Sequence, residues 1–216
     1  ATIKNNSHFT NGVKFYLAMT ENFNHKERRQ REIEAVKASI LKAARDLSIS
    51  KQGWPKVTIR DIARDIAYTP PVIYEHFKNK TAILIELQHY GFRQLKYALE
   101  EGRKAEKEPI AQLLHLTETT WDWAFNYSEL YEVMFGISGV PVPPPPSHTL
   151  SDTAKPVMET IRSIRLFEAE VEEYFYNWWA LVHGYIALVM TKQIPGKREA
   201  MKRYTLQAVE RFAQNL

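Results

Sequence analysis

The chain has no cysteine in its 216 residues, so disulfides, thiolate metal sites and a thiol nucleophile are excluded. Nothing in it requires an oxidising compartment. No apolar run approaches the roughly eighteen residues of a membrane span; the most apolar stretch, Trp178 to Met190, is interrupted by His183 and Gly184. Ala1 to Gly12 is mostly polar and no long apolar core follows, unlike a secretory signal. Catalytic patterns are missing too: there is no HExxH, P-loop, GxSxG or dinucleotide glycine motif. A di-iron bundle needs two Glu-x-x-His pairs, and the chain offers one, Glu86 with His89. Glu168, Glu170, Glu172 and Glu173 supply no second pair and read as a solvated face. These absences lead us to expect a soluble, cytoplasmic protein with no membrane partner, no enzymatic activity, no metal and no cofactor.

What is present is unevenly charged. Residues 1–80 carry a net +7 and residues 81–216 a net −3, giving the +4 of the whole chain. A basic first third on a mildly acidic remainder suits a nucleic-acid module attached to something that avoids nucleic acid. Within that third, Ile59, Ile62, Ala63 and Ile66 recur at helical spacing, with Thr58 placed directly before them to cap the first amides. A break follows at Ala67-Tyr68-Thr69. A second short helix opens at Pro70-Pro71, where first-turn N–H groups have no intrahelical partner to lose. Val72, Ile73 and Phe77 give it an apolar face and leave Tyr74, Glu75 and His76 outward. Two short helices joined by a tight turn make a helix-turn-helix, whose second helix enters the major groove of DNA.

Around this unit the pattern is helical throughout. Residues 1–24 read as a flexible, Asn-rich extension, with Met19 as a candidate start site. A first helix runs from Lys26 to Leu47 with Ile33, Val36, Ala38, Ile40, Leu41 and Ala44 as its buried stripe, and a basic start at Lys26, Arg28, Arg29 and Arg31. A long helix from Asn79 to Lys104 places Ile83, Leu84, Leu87, Tyr90, Leu95 and Leu99 on one side. Helices follow over Pro109–Tyr127, Ser128–Phe135, Thr153–Leu166, Phe167–Thr191 and Lys197–Gln214. The run from Val140 to Ser147 is extended polyproline, a stiff connector. The expectation is an all-α chain of about nine helices: a flexible extension (1–24), a DNA-binding head (25–80) and a helical body (81–216).

Ile62-Ala63-Arg64 followed by Ile73-Tyr74-x-x-Phe77-x-x-Lys80 resembles the DNA-binding signature of the tetracycline-repressor (TetR) family. The chain departs from it at the turn, with Ala67-Tyr68 where the family usually has Gly-Val; alanine tolerates a positive φ poorly. Further on, Trp179-Ala180-Leu181-Val182-His183-Gly184 resembles the Trp-His-Gly signature of one subgroup of the family's regulatory domains. The spacing sets Trp179 and His183 one turn apart on one face, with Gly184 available for close approach of a neighbouring helix. The resemblance implies a homodimeric regulator, most often a repressor, released from a palindromic DNA operator by a small-molecule effector.

It also implies the sites. Phosphate contacts fall to Thr58, Tyr74, Lys80 and Thr81, and base contacts to Thr69, Pro71, Val72 and His76, with Pro70 opening the DNA-binding helix. An apolar effector cavity in the body has Trp121, Phe125, Tyr131, Met134, Phe135, Phe175, Trp178 and Trp179 as candidate walls, and His183, His115 and Thr120 as candidate polar groups. For His183 an internal hydrogen bond is the commoner role. In the family the last two helices form a four-helix bundle with their twofold mates, and Tyr185, Leu188, Val189, Tyr204, Leu206, Val209 and Phe212 are the apolar positions available for it. The alternatives are a DNA-binding protein of the same fold without an inducer, and an all-helical enzyme or carrier using the aromatic cavity.

Overall fold

The computed structural model describes the backbone of residues 7–164 and 170–215, with side chains from Lys26 onward. Among the described residues there are nine α-helices, one 3-10 turn and no strand. The head comprises α1 (Ser7–Ser50), the 3-10 turn Trp54–Lys56, α2 (Ile59–Asp65) and α3 (Pro70–His76). Ile40, Ala43 and Ala44 of α1, Ile62 and Ala63 of α2 and Ile73 of α3 are buried together, closed below by Trp54, Val57 and Phe77. Thr58 caps α2 in both directions: its Oγ1 accepts the Asp61 amide at 3.2 Å, and its own amide donates to Asp61 Oδ2 at 3.1 Å. Such a reciprocal box satisfies two amides that a helix start otherwise leaves open.

The body begins with α4 (Lys80–Ala105), whose first turn is capped by Asn79 Oδ1 accepting from the Ala82 amide at 2.9 Å. Then come α5 (Pro109–Asn126), α6 (Ser128–Met134), α7 (Ser147–Ile164), α8 (Val171–Met190) and α9 (Arg198–Gln214). The long helix α4 is the spine, packing on α1 and α6 near its start and on α5 and α7 further along. At Gly91 a Cβ would lie 2.5 Å from the Met134 sulfur, so any larger residue there would force the Met134 side chain to shift. On the far side α5 packs on α7, α8 and α9, and α8 packs on α9. Lys202 of α9 ties to α5 through Asp122 (2.8 Å) and Glu118 (2.8 Å).

Several boundaries differ from the sequence expectation. Helix α1 begins at Ser7 rather than Lys26, because no proline interrupts the chain before Pro55 and nothing stops the helix from running back; residues 1–6 lie outside the described residues. Along α1, Ala38 is exposed and Ala43 takes its place in the core. Helix α7 begins at Ser147, directly after the prolines, and not at Thr153, so Pro156 sits inside it. Helix α8 begins at Val171; Phe167 and Glu168, assigned to its start, lie outside the described residues.

Candidate DNA interface and effector cavity

The turn between α2 and α3 adopts the geometry that the sequence left in question. Ala67 has φ +57°, the left-handed region, and the Tyr68 amide closes back on the Ala63 carbonyl at 2.8 Å. A residue with a Cβ costs roughly 1–2 kcal/mol there. The turn therefore keeps the shape glycine would give it, at some strain. It delivers α3 with Thr69 and Pro71 exposed, Tyr74 55 % exposed, and Pro70, Val72 and His76 half-buried. Thr69, the residue before the helix, makes no side-chain capping bond. Of the three residues read as outward, Tyr74 and Glu75 are exposed and His76 is half-buried.

Thr58 and Lys80 are less available than their assigned roles suggest. The Thr58 hydroxyl donates to Asp61 Oδ2 at 2.6 Å within its cap. Lys51 sits on the same carboxylate at 2.6 Å, and that bond first, then Thr58, holds the Asp61 carboxyl well below the usual carboxylate range. Lys80 donates its ammonium to the Trp54 carbonyl at 2.5 Å, and burial lowers its pKa from the ordinary lysine value. An ammonium keeps two further donors after one such bond. Thr81 is half-buried beside it.

A group of contacts absent from the sequence reading joins head to body. Arg45 of α1 reaches Glu129 of α6 through Nε (3.0 Å) and Nη2 (2.6 Å), while its guanidinium lies 5.8 Å from the Tyr90 ring and 5.9 Å from the Tyr127 ring. The Trp54 indole N–H donates to the Glu129 carbonyl at 2.8 Å. Behind α6, Gln88 of α4 donates to the Pro143 carbonyl at 3.1 Å, fastening the polyproline connector to the spine. A proline still carries a carbonyl that needs a donor, and the buried Gln88 amide supplies it here.

The second site is a cavity of about 500 Å³ enclosed by α4, α5, α7 and α8. Its floor is Phe92, Leu95 and Leu99 of α4 with Thr120 of α5; Leu150, Ala154, Val157 and Met158 of α7 form one wall and Phe175, Trp178 and Trp179 of α8 the other. Ser147, Ser151, Thr153, Glu172 and Tyr176 complete the lining. Trp178 is fixed by donating its indole N–H to Thr117 Oγ1 at 2.9 Å. Of the residues expected here, Phe175, Trp178, Trp179 and Thr120 line the cavity. Trp121, Phe125, Tyr131, Met134, Phe135, His115 and His183 do not, because helix packing turns them elsewhere. Trp121 is buried against Phe125 with its indole nitrogen unpartnered, and Phe125 lies under Arg198 of α9. Tyr131, Phe135, Trp179 and His183 form an aromatic cluster in which Trp179 and His183 lie 5.6 Å apart and nearly parallel. The Tyr131 oxygen is 2.9 Å from His183 Nδ1, and burial holds the imidazole below its ordinary pKa and the Tyr131 hydroxyl above its own. His183 is thus internally bonded, as expected. The α7 wall escapes a sequence reading that starts this helix at Thr153, although the spacing of Leu150, Ala154, Val157 and Met158 is helical in the sequence.

On the outer face of α8 and α9, Leu188 and Tyr204 are exposed and Tyr185, Val189, Leu206 and Phe212 half-buried. Val209, assigned to the same surface, is fully buried inside the chain and belongs to its own core. Gly184 does not meet a neighbouring helix within the chain: a Cβ there would find no atom within 4 Å. No group of metal-binding side chains and no helix long and apolar enough to cross a membrane occurs among the described residues.

A helix-turn-helix head fused through one long helix to a helical body defines the class of DNA-binding transcription regulators. Two family models match, the tetR family of bacterial regulatory proteins over residues 40–87 and the Tetracyclin repressor-like C-terminal domain over residues 113–210. The chain belongs to the TetR family; it is a transcription regulator and not an enzyme. Among solved structures it is similar to a protein of unknown function from a Rhodococcus species (19% identity, 83% of this chain and 94% of that one, TM-score 0.68). It is also similar to a TetR-family regulator from Streptomyces coelicolor (15%, 84% and 89%, 0.62). A third is the regulator PfmR from Thermus thermophilus (18%, 80% and 97%, 0.59). At these identities the likeness is one of fold. No curated protein matches the chain by sequence.

Proposed function

We propose that the chain acts in the cytoplasm as a homodimeric repressor that a small, largely apolar effector releases from its operator. The observation that carries this reading is the cavity of about 500 Å³ floored by α4, the helix whose first turn is tied to the head through Lys80 and Trp54. Its size falls within the roughly 300–1,000 Å³ of small-molecule sites. A molecule that fills it bears on Phe92, Leu95 and Leu99, and any tilt of α4 moves the head with it. The response is limited by the effector's differential affinity for the two tilts, about 1–3 kcal/mol of coupling.

In this reading α8 and α9 pair with their twofold mates through Tyr185, Leu188, Val189, Tyr204, Leu206 and Phe212, with Gly184 open toward the partner. Each subunit sets α3 in the major groove, so the operator is palindromic with half-sites about 34–36 Å apart. Tyr74 and Thr81, with Thr58 and Lys80 in part, hold phosphates; Thr69, Pro71, Val72 and His76 meet base edges, with Pro70 opening the helix. Proline and valine reach thymine methyls but donate nothing, so DNA shape carries part of the specificity.

The test is fluorescence-anisotropy binding to the DNA flanking the protein's own gene, against salt and random competitor. The expected result is competitor-resistant binding by a dimer with steep salt dependence. Trp179→Ala is expected to blunt effector release while sparing operator binding. Binding no tighter than to random DNA overturns the repressor reading.

A further inference from the structure

The cavity wall has few uncommitted hydrogen-bond donors. Three of its hydroxyls give their protons back to their own helices: Thr120 to the Leu116 carbonyl (2.8 Å), Thr153 to the Thr149 carbonyl (2.8 Å) and Ser151 to the Ser147 carbonyl (3.1 Å). The Trp178 N–H is spent on Thr117. What these groups turn inward is lone pairs, since a hydroxyl that donates once retains only acceptor capacity. Among the described residues lining the cavity the one charged side chain is Glu172, exposed at the mouth next to Tyr176 and without a hydrogen-bond or ion-pair partner. A carboxylate is again acceptor-only, and the aromatic rings beside it offer electron-rich faces that attract cations.

We propose that the effector is an apolar molecule bearing a protonated amine, its hydrocarbon part held between α4 and α7 and its ammonium on Glu172 and the ring of Tyr176. This rests on the reading of the body as an effector site and names the charge of what enters it. A carboxylate or phosphate head would find only the Trp179 indole N–H and the Ser147 and Tyr176 hydroxyls as donors along the same path, and no cation among the described lining residues. Basic residues do lie nearby, His89, Arg93, Lys96 and His148, but together with Asp152 they line an adjoining groove that shares only Phe92 and Thr153 with the cavity. An anionic head reaching over Thr153 into that groove is the outcome that would reverse the proposal.

The experiment uses the full-length protein and three probes of equal chain length, decylamine, decanol and decanoate, kept below aggregation at pH 7, where the amine is protonated. Binding is read from quenching of tryptophan emission, because Trp178 and Trp179 line the cavity. Decylamine is expected to bind roughly tenfold more tightly than decanol, the scale of one charge-assisted hydrogen bond, and decanoate more weakly than either. Glu172→Gln is expected to erase the amine's advantage while decanol binds as before, which also shows that the variant is folded. Glu173→Gln, one residue along and outside the lining, is expected to leave all three affinities unchanged. Decanoate binding as tightly as decylamine, or an amine advantage that survives Glu172→Gln, overturns the proposal and leaves the effector site standing. If none of the three probes changes the emission, the effector-site reading falls and the proposal with it.

Discussion

The two halves of α4 live in opposite surroundings. From Lys80 to Gly91 the helix is pressed against the head and α6 so closely that a methyl group at Gly91 would force the Met134 side chain to shift, and Lys80, Trp54, Glu129 and Arg45 are joined by hydrogen bonds. From Phe92 to Leu99 the same helix borders a hollow of about 500 Å³. A rod packed tightly along one half and bordering a hollow on the other can be levered: on the proposed reading, filling the hollow displaces the second half, and the first carries the displacement to the head. Close packing transmits strain and voids absorb it, so on the proposed reading the contrast separates where an effector's signal would enter from where it would be delivered.

The contrast can be broken by truncation. Leu84→Ala, in the tightly packed half, is expected to cost about 3–5 kcal/mol, whereas Leu99→Ala, whose side chain already faces empty volume and has fewer contacts to lose, is expected to cost about 2–3 kcal/mol. Urea unfolding of both variants measures the difference, and equal losses would mean that the hollow is filled in solution. Glu129→Ala leaves the Arg45 guanidinium partly buried and unpaired, at about 2–4 kcal/mol. The same denaturation series should show it, and effector and operator should become less coupled in the anisotropy assay.

Smaller effects sharpen the picture. Ala67→Gly relieves the left-handed alanine and is expected to add about 1 kcal/mol, read as a raised Tm with operator affinity unchanged. The smallest effect is one of pH. Burial depresses the His183 pKa below its ordinary value of 6.5, so the folded state resists a proton that the unfolded chain accepts. Its contribution is therefore complete above about pH 6.5 and is lost as pH falls through the lower folded value. His183→Phe is expected to flatten that part of the stability–pH curve, at a cost of about 1 kcal/mol at pH 8 for the lost Tyr131 bond.

Local signals were legible in the sequence. Ile59, Ile62, Ala63 and Ile66 with Thr58 ahead of them, and Pro70-Pro71 at the next start, mark the helix-turn-helix because caps and periodicity act over a few residues. The stripe of α4 was equally plain. The tie of Trp54 and Arg45 to Glu129 was not, since partners 75 and 84 residues apart leave no periodic trace. The cavity was read only in part for a different reason: Trp178 and Trp121 look alike as buried aromatics, and only packing decides that one borders a void and the other does not. The start of α7 was obscured by its prolines, which signal a connector without saying where it ends.

The Glu129 contact bears on how the protein is made. A ribosome releases the helix-turn-helix long before α6, yet Trp54 keeps an unanswered indole N–H and Arg45 an unanswered charge until residue 129 has emerged. The DNA-reading unit is therefore finished from behind, by a segment of the regulatory body. A fragment cut at residue 80 would contain all of α3 and still leave Trp54 and Arg45 without their Glu129 partner.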